Sequence, residues 1–180
     1  MKKLIALFIV LLFSLALFGC QDEGESDYTF DIGGANLFVD PGGRYSITYP
    51  RDWYYFGTTA SEEKITTWHS SGGGITLAIE DWKPNGPASI TVLEWAQQNR
   101  DRLITEGHDV VQDISPIVNA NGNTGYEITV RKGTTEWRIA FFFNNLTEQF
   151  DLTFEYDVLN LDPHVIYLTQ IIKSFLTTDL

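Results

Sequence analysis

His69, Ser70 and Ser71 stand together ahead of Gly72-Gly73-Gly74, so a hydroxyl nucleophile has an imidazole base as its chain neighbour. Acyl transfer needs the two within hydrogen-bonding reach. Adjacent strand residues point to opposite faces, which keeps His69 and Ser70 apart and makes an ordinary hairpin end the expected use of this run. No Gly-x-Ser-x-Gly elbow supplies another nucleophile. His69, His108 and His164 are far apart in sequence and have no cysteine cluster beside them, so neither a metal nor another cofactor is expected. His108 and His164 read as exposed. The glycine run lacks the lysine of a phosphate cradle, and no Asp-x-Asp-x-Asp-Gly calcium loop is present. Trp68, Trp82 and Trp95 form another group, with Trp137 opening a later apolar run. Indoles at a rim anchor partners or stack on sugars, and core packing is the ordinary alternative. Trp95 is the best placed for a partner, about 60° off the apolar stripe of its own helix.

Cys20 is the only thiol, so an internal disulfide is impossible. It closes a segment in which Met1-Lys2-Lys3 is positive and Leu4 to Phe18 is apolar except for Ser14, the layout of a signal peptide. As a helix the apolar run spans about 22 Å against roughly 30 Å of hydrocarbon, so cleavage of residues 1–19 is expected, with an uncleaved anchor as the alternative. Leu17-Phe18-Gly19-Cys20 resembles the lipobox of bacterial lipoproteins, although Phe18 is larger than the residue usual there. The resemblance implies a diacylglyceryl group on Cys20, a new amino terminus at that residue, and a lipid anchor on the extracytoplasmic face of the cell membrane. Two or three acyl chains, at about 0.8 kcal/mol per buried methylene, make such anchoring stable.

Residues 20–36 begin with the acidic run Gln21 to Asp27 and are expected to form a solvated tether, leaving 37–180 as one domain. Twelve Lys and Arg oppose 24 Asp and Glu, and loss of Lys2 and Lys3 moves the net charge from −12 to −14. That sign opposes phosphate backbones, so nucleic acid is not an expected partner.

The elements that position these residues follow from periodicity. Tyr45, Ile47 and Tyr49 alternate with small polar residues before Pro50, and Ile75, Leu77 and Ile79 follow the glycine run as the second arm of a hairpin begun at Lys64 to His69. Three further alternating runs start at Tyr126, Trp137 and Phe150, and the short connections Asn121-Gly122-Asn123, Lys132-Gly133 and Asn144-Asn145 make them part of a predicted four-stranded meander with one face covered. Thr91 and Glu94 have capping-box spacing ahead of a helix whose stripe is Val92, Leu93, Ala96, Leu103 and Ile104, with Arg100 inside that arc and Gly107 as the stop. Asp162-Pro163 predicts the start of a last helix with Val165, Leu168, Ile172, Phe175 and Leu176 on one stripe.

This order, the start Tyr49-Pro50-Arg51-Asp52-Trp53 and the closing Ile171-Ile172-Lys173-Ser174-Phe175 resemble the PsbP-like group over most of Gly43 to Leu176. That group includes the extrinsic protein of the oxygen-evolving photosystem and bacterial lipoproteins of the DcrB type; Asp52 stands where a small residue is common. The resemblance implies an α+β fold, an α/β/α sandwich around a central antiparallel sheet, and a mostly non-catalytic role. The expected function is therefore that of a lipid-anchored, non-enzymatic binding or assembly-accessory protein with an envelope protein partner. A small-molecule or divalent-cation binding protein is the alternative, and a hydrolase using His69 is the weaker one.

Overall fold

The computed structural model describes residues 34–59, 64–82, 90–144 and 148–177. The expected signal peptide, Cys20 and most of the tether lie outside the described residues. Strand β1 (Ala35–Val39) takes in the last two residues assigned to the tether. It pairs antiparallel with β2 (Tyr45–Pro50), which also pairs with the short β10 (Leu176–Thr177). The larger sheet has seven antiparallel strands: β3 (Tyr54–Thr58), β4 (Lys64–His69), β5 (Ile75–Trp82), β6 (Asp109–Val118), β7 (Thr124–Lys132), β8 (Thr135–Phe143) and β9 (Gln149–Asp157). Their order in space is β3-β4-β5-β9-β8-β7-β6, so the meander β6 to β9 joins the hairpin β4-β5 through the β5-β9 pair.

Helix α1 (Val92–Thr105) begins with the expected capping box: Glu94 N–H donates to Thr91 Oγ1 at 3.2 Å, and Thr91 N–H to Glu94 Oε2 at 2.7 Å. Gly107 takes φ +84° just beyond its end, where a side chain would be strained. Lys132 Nζ on β7 donates to the Glu106 carbonyl at 2.8 Å, tying that end to the sheet. Arg100, inside the apolar arc, reaches out to Asp113 on β6. The last helix is shorter than its stripe predicts. A 3-10 turn (Pro163–Tyr167), capped by Asp162, leads into α2 (Leu168–Lys173), and the chain straightens so that Leu176 joins β10. Val165, Leu168, Ile172 and Phe175 still pack into one core, because helix and extended chain bury them against the same neighbours.

Two cores lie on opposite sides of the large sheet. One contains Ile75, Leu77 and Ile79 of β5 and Phe150, Leu152 and Phe154 of β9, packed against Tyr45 and Ile47 of β2 and Ile171, Ile172 and Phe175. The other contains Ile128, Val130, Ile139 and Phe141, packed against Ala96 and Leu103 of α1. The covering layers are offset: α1 contacts the β6-β7-β8 end of one face, and the core beneath the small sheet is centred on the β5-β9 end of the other. This corrects the expectation of a single covered face. Register places Glu127 and Thr129 on one side and Asp151, Thr153 and Glu155 on the other, so each face is apolar over part of its width and polar over the rest.

Buried polar groups join the layers. Arg44, in the turn side of β2, forms a fork on Asp40 at 2.7 and 2.8 Å and also pairs with Asp81 of β5; all three are buried. Burial alone would raise the Asp40 carboxyl, but the Arg44 guanidinium and backbone N–H groups hold it below the usual range. Ser174 Oγ accepts from Thr48 N–H at 2.9 Å, tying the end of α2 to β2.

Candidate functional site: a tryptophan groove between helix and sheet

Because α1 covers only part of its face, the strip of sheet formed by β5 and β9 lies open beside it. The result is a groove of about 640 Å³, lined among others by Glu80 and Trp82 of β5, Trp95 of α1, Trp137 of β8 and Asp151 of β9. That volume falls within the roughly 300–1,000 Å³ usual for ligand pockets. Trp82 and Trp95 meet edge to face, with centroids 6.5 Å apart at 62°. Trp137 packs edge to face on His108 at 5.1 Å. Leu103 and Ile139 supply apolar lining between them.

Two of the three indole N–H groups are committed to carboxylates, and that of Trp82 is buried without an acceptor among the described residues. Trp95 Nε1–H donates to Asp151 Oδ1 at 2.9 Å, and Trp137 Nε1–H to Glu155 Oε2 at 2.9 Å. Asp151 is only 7% exposed and stands directly across from Glu80 in the β5-β9 pair. Burial pushes its carboxyl up to about 7, the nearby Glu80 charge adds to the rise, and the Trp95 bond and Arg102 oppose it. Arg102 binds Glu106 at 3.0 Å and Asn99 Oδ1 at 3.2 Å. Asn99 in turn donates to the Trp95 carbonyl at 3.0 Å. His108 Nδ1 lies 3.0 Å from the Leu103 carbonyl, which can only accept. Carboxylates therefore outnumber cationic groups along the groove.

Of the tryptophans singled out from sequence, Trp82 and Trp95 come together here, with Trp137 as a third wall. Trp68 does not join them. It is 0% exposed and packs against Phe38, Tyr49 and Tyr55, so it belongs to the core rather than to a partner surface. Its position on β4, pointing to the covered side, decides this.

His69 and Ser70 are not brought together. His69 Nδ1 meets Thr76 Oγ1 at 3.1 Å and its ring packs on Phe56, whereas Ser70 Oγ donates to Asp162 at 2.6 Å and accepts from Ile75 N–H. His164 departs from its expected exposure. It is 6% exposed, with Nδ1 at 2.6 Å from Asp162 Oδ1 and Nε2 at 3.1 Å from Asp52 Oδ2, and Ser71 donates to the same Asp52 oxygen at 2.7 Å. This network clips the β4-β5 turn to the 3-10 turn, with Trp53 stacked edge-on to His164. His108 is half-buried rather than exposed. Among the described residues, no three His, Cys, Asp or Glu side chains are grouped as a metal site requires, and no helix is long and apolar enough to cross a membrane.

The fold does have a known counterpart. The solution structure of cyanobacterial PsbP (CyanoP) from Synechocystis sp. PCC 6803 superposes with a TM-score of 0.61 at 12% identity, covering 91% of this chain and 99% of that one. The chain has a PsbP-like fold. Neither a family model nor a curated protein matches its sequence. At such low identity the PsbP-like likeness speaks for architecture alone, and the groove is argued from this chain's own residues.

Proposed function

We propose that the protein is a lipid-anchored, extracytoplasmic accessory protein without catalytic activity, and that it binds an envelope protein through the tryptophan groove. In this reading Cys20 carries the lipid, the acidic stretch holds the domain away from the bilayer, and the chain stands with the DcrB-type lipoproteins of the PsbP-like group. The layers around the large sheet are read as that group's α/β/α sandwich, one outer layer being supplemented by β1-β2-β10. The observation that carries the functional part is the open aromatic corner of Trp82 and Trp95 over a carboxylate-lined strip of sheet. Half-buried indoles offer large contact area at little entropic cost. Ser70 donates its hydroxyl to Asp162 and does not meet His69, which speaks against the hydrolase reading built on that histidine.

The groove volume favours a small soluble ligand as the second reading. Pull-down with the full-length protein from detergent-solubilised membranes separates the two. A polypeptide retained by wild type and lost with Trp95→Ala and with Trp82→Ala supports the first reading. Equal retention by all three, or no specific polypeptide at all, contradicts it.

A further inference from the structure

We propose that the groove receives a protonated amine or guanidinium group, presented by a lysine or arginine side chain of the partner polypeptide and held on Asp151 beside the Trp82–Trp95 pair. The inference rests on the accessory-protein reading and adds the chemistry that is recognised. Asp151 Oδ1 accepts the Trp95 indole N–H, while Oδ2 accepts no hydrogen bond from a described residue and belongs to a side chain more than nine-tenths buried in the groove lining. That oxygen is open to the groove, where a charge-assisted bond from a cation satisfies it.

The surrounding groups set the sign. Glu80 faces Asp151 from β5, Glu106 and Arg102 from α1, His108 from the segment after it, and Glu155 from β9 beyond Trp137. Arg102 is the one guanidinium of this set and is tied to Glu106 and Asn99. Carboxylates outnumber cationic groups around the groove, so the complementary ligand is positively charged. Indole rings add a preference for cations over neutral groups of the same shape. The chain's net charge of −12 steers basic segments toward it.

The test uses the full-length chain in neutral detergent, with the signals of the tryptophan indole N–H groups as readout. N-acetyl-lysine methylamide and N-acetyl-arginine methylamide are expected to shift the Trp82, Trp95 and Trp137 signals. N-acetyl-norleucine methylamide, which keeps the aliphatic stem without the charge, and N-acetylglucosamine are expected to leave them in place. Asp151→Asn, which retains an acceptor for Trp95, should reduce the response to the cations at least tenfold, and the wild-type response should be severalfold stronger at pH 8 than at pH 6. Equal shifts from the norleucine probe or the sugar, no shift from either cation, or an unchanged response in D151N overturns the proposal. The two readings fail separately. A polypeptide retained equally by wild type and D151N removes the basic-side-chain assignment and leaves the accessory role. Cation binding with no polypeptide captured removes the accessory role and leaves the chemistry of the groove.

Discussion

Asp151 occupies a position whose ionisation works against the fold. Its carboxyl is raised from 3.8 to about 7, chiefly by burial, so between those values the folded chain keeps a proton that the unfolded chain has released. Stability from this group is therefore greatest at acidic pH and falls as pH rises through the window. Each unit is worth about 1.4 kcal/mol, so a change from pH 5 to pH 8 removes on the order of 2–3 kcal/mol. Asp40 and Asp162 are both held below the ordinary carboxylate range and act with the opposite sign, in more acidic solution. Urea denaturation across this range is expected to show D151N gaining on wild type as pH rises; a difference independent of pH contradicts the assignment. In the sequence Asp151 is one polar residue in an alternating run and carries no signal of burial. Its environment arises from the register with Glu80 and from where α1 stops covering the sheet. The half-buried setting of Trp95 was legible because its angle off the helical stripe is a local property, whereas the burial of Trp68 depended on which side of β4 would be covered. His164 gave no warning of its burial: besides Asp162, two residues before it, its partner is Asp52, 112 residues upstream.

Elements with a strong local period were legible, and those assembled from weak or interrupted ones were not. The capping box, the β4-β5 hairpin and strands β7 to β9 follow from spacing and turn residues. Strand β6 does not: its register shifts between Val110 and Gln112 and again before Ser115, and it contains Pro116, so its apolar residues lose their alternation. The closing segment reads as one helix because Phe175 and Leu176 continue the stripe, yet the pairing of Leu176 with Ser46 takes the chain into the small sheet. Ser174 fixes that change of direction through its bond from Thr48 N–H. Ser174→Ala leaves this buried donor unpaired and is expected to cost about 1–3 kcal/mol in denaturant unfolding without changing the groove's response to the cationic probes. A loss below about 0.5 kcal/mol would show that water or a backbone shift replaces the hydroxyl.

At the scale of the whole molecule, the offset of its two covering layers gives the sheet its open strip. The general α+β class and the PsbP-like resemblance were legible from element order, while the offset was not, because it depends on packing between elements far apart in the chain. A second exposed aromatic surface competes with the groove for the role of docking site: edge strand β3 presents Tyr54 at 64% and Phe56 at 78% exposure. Phe56 lies against His69, and this edge lacks the groove's concavity and its buried carboxylate. A photoreactive phenylalanine analogue placed in the full-length chain at position 82 or, separately, at position 54 discriminates between the two surfaces in living cells. The account predicts a discrete adduct with a polypeptide from position 82 and none from position 54; an adduct from position 54 with none from position 82 would contradict it.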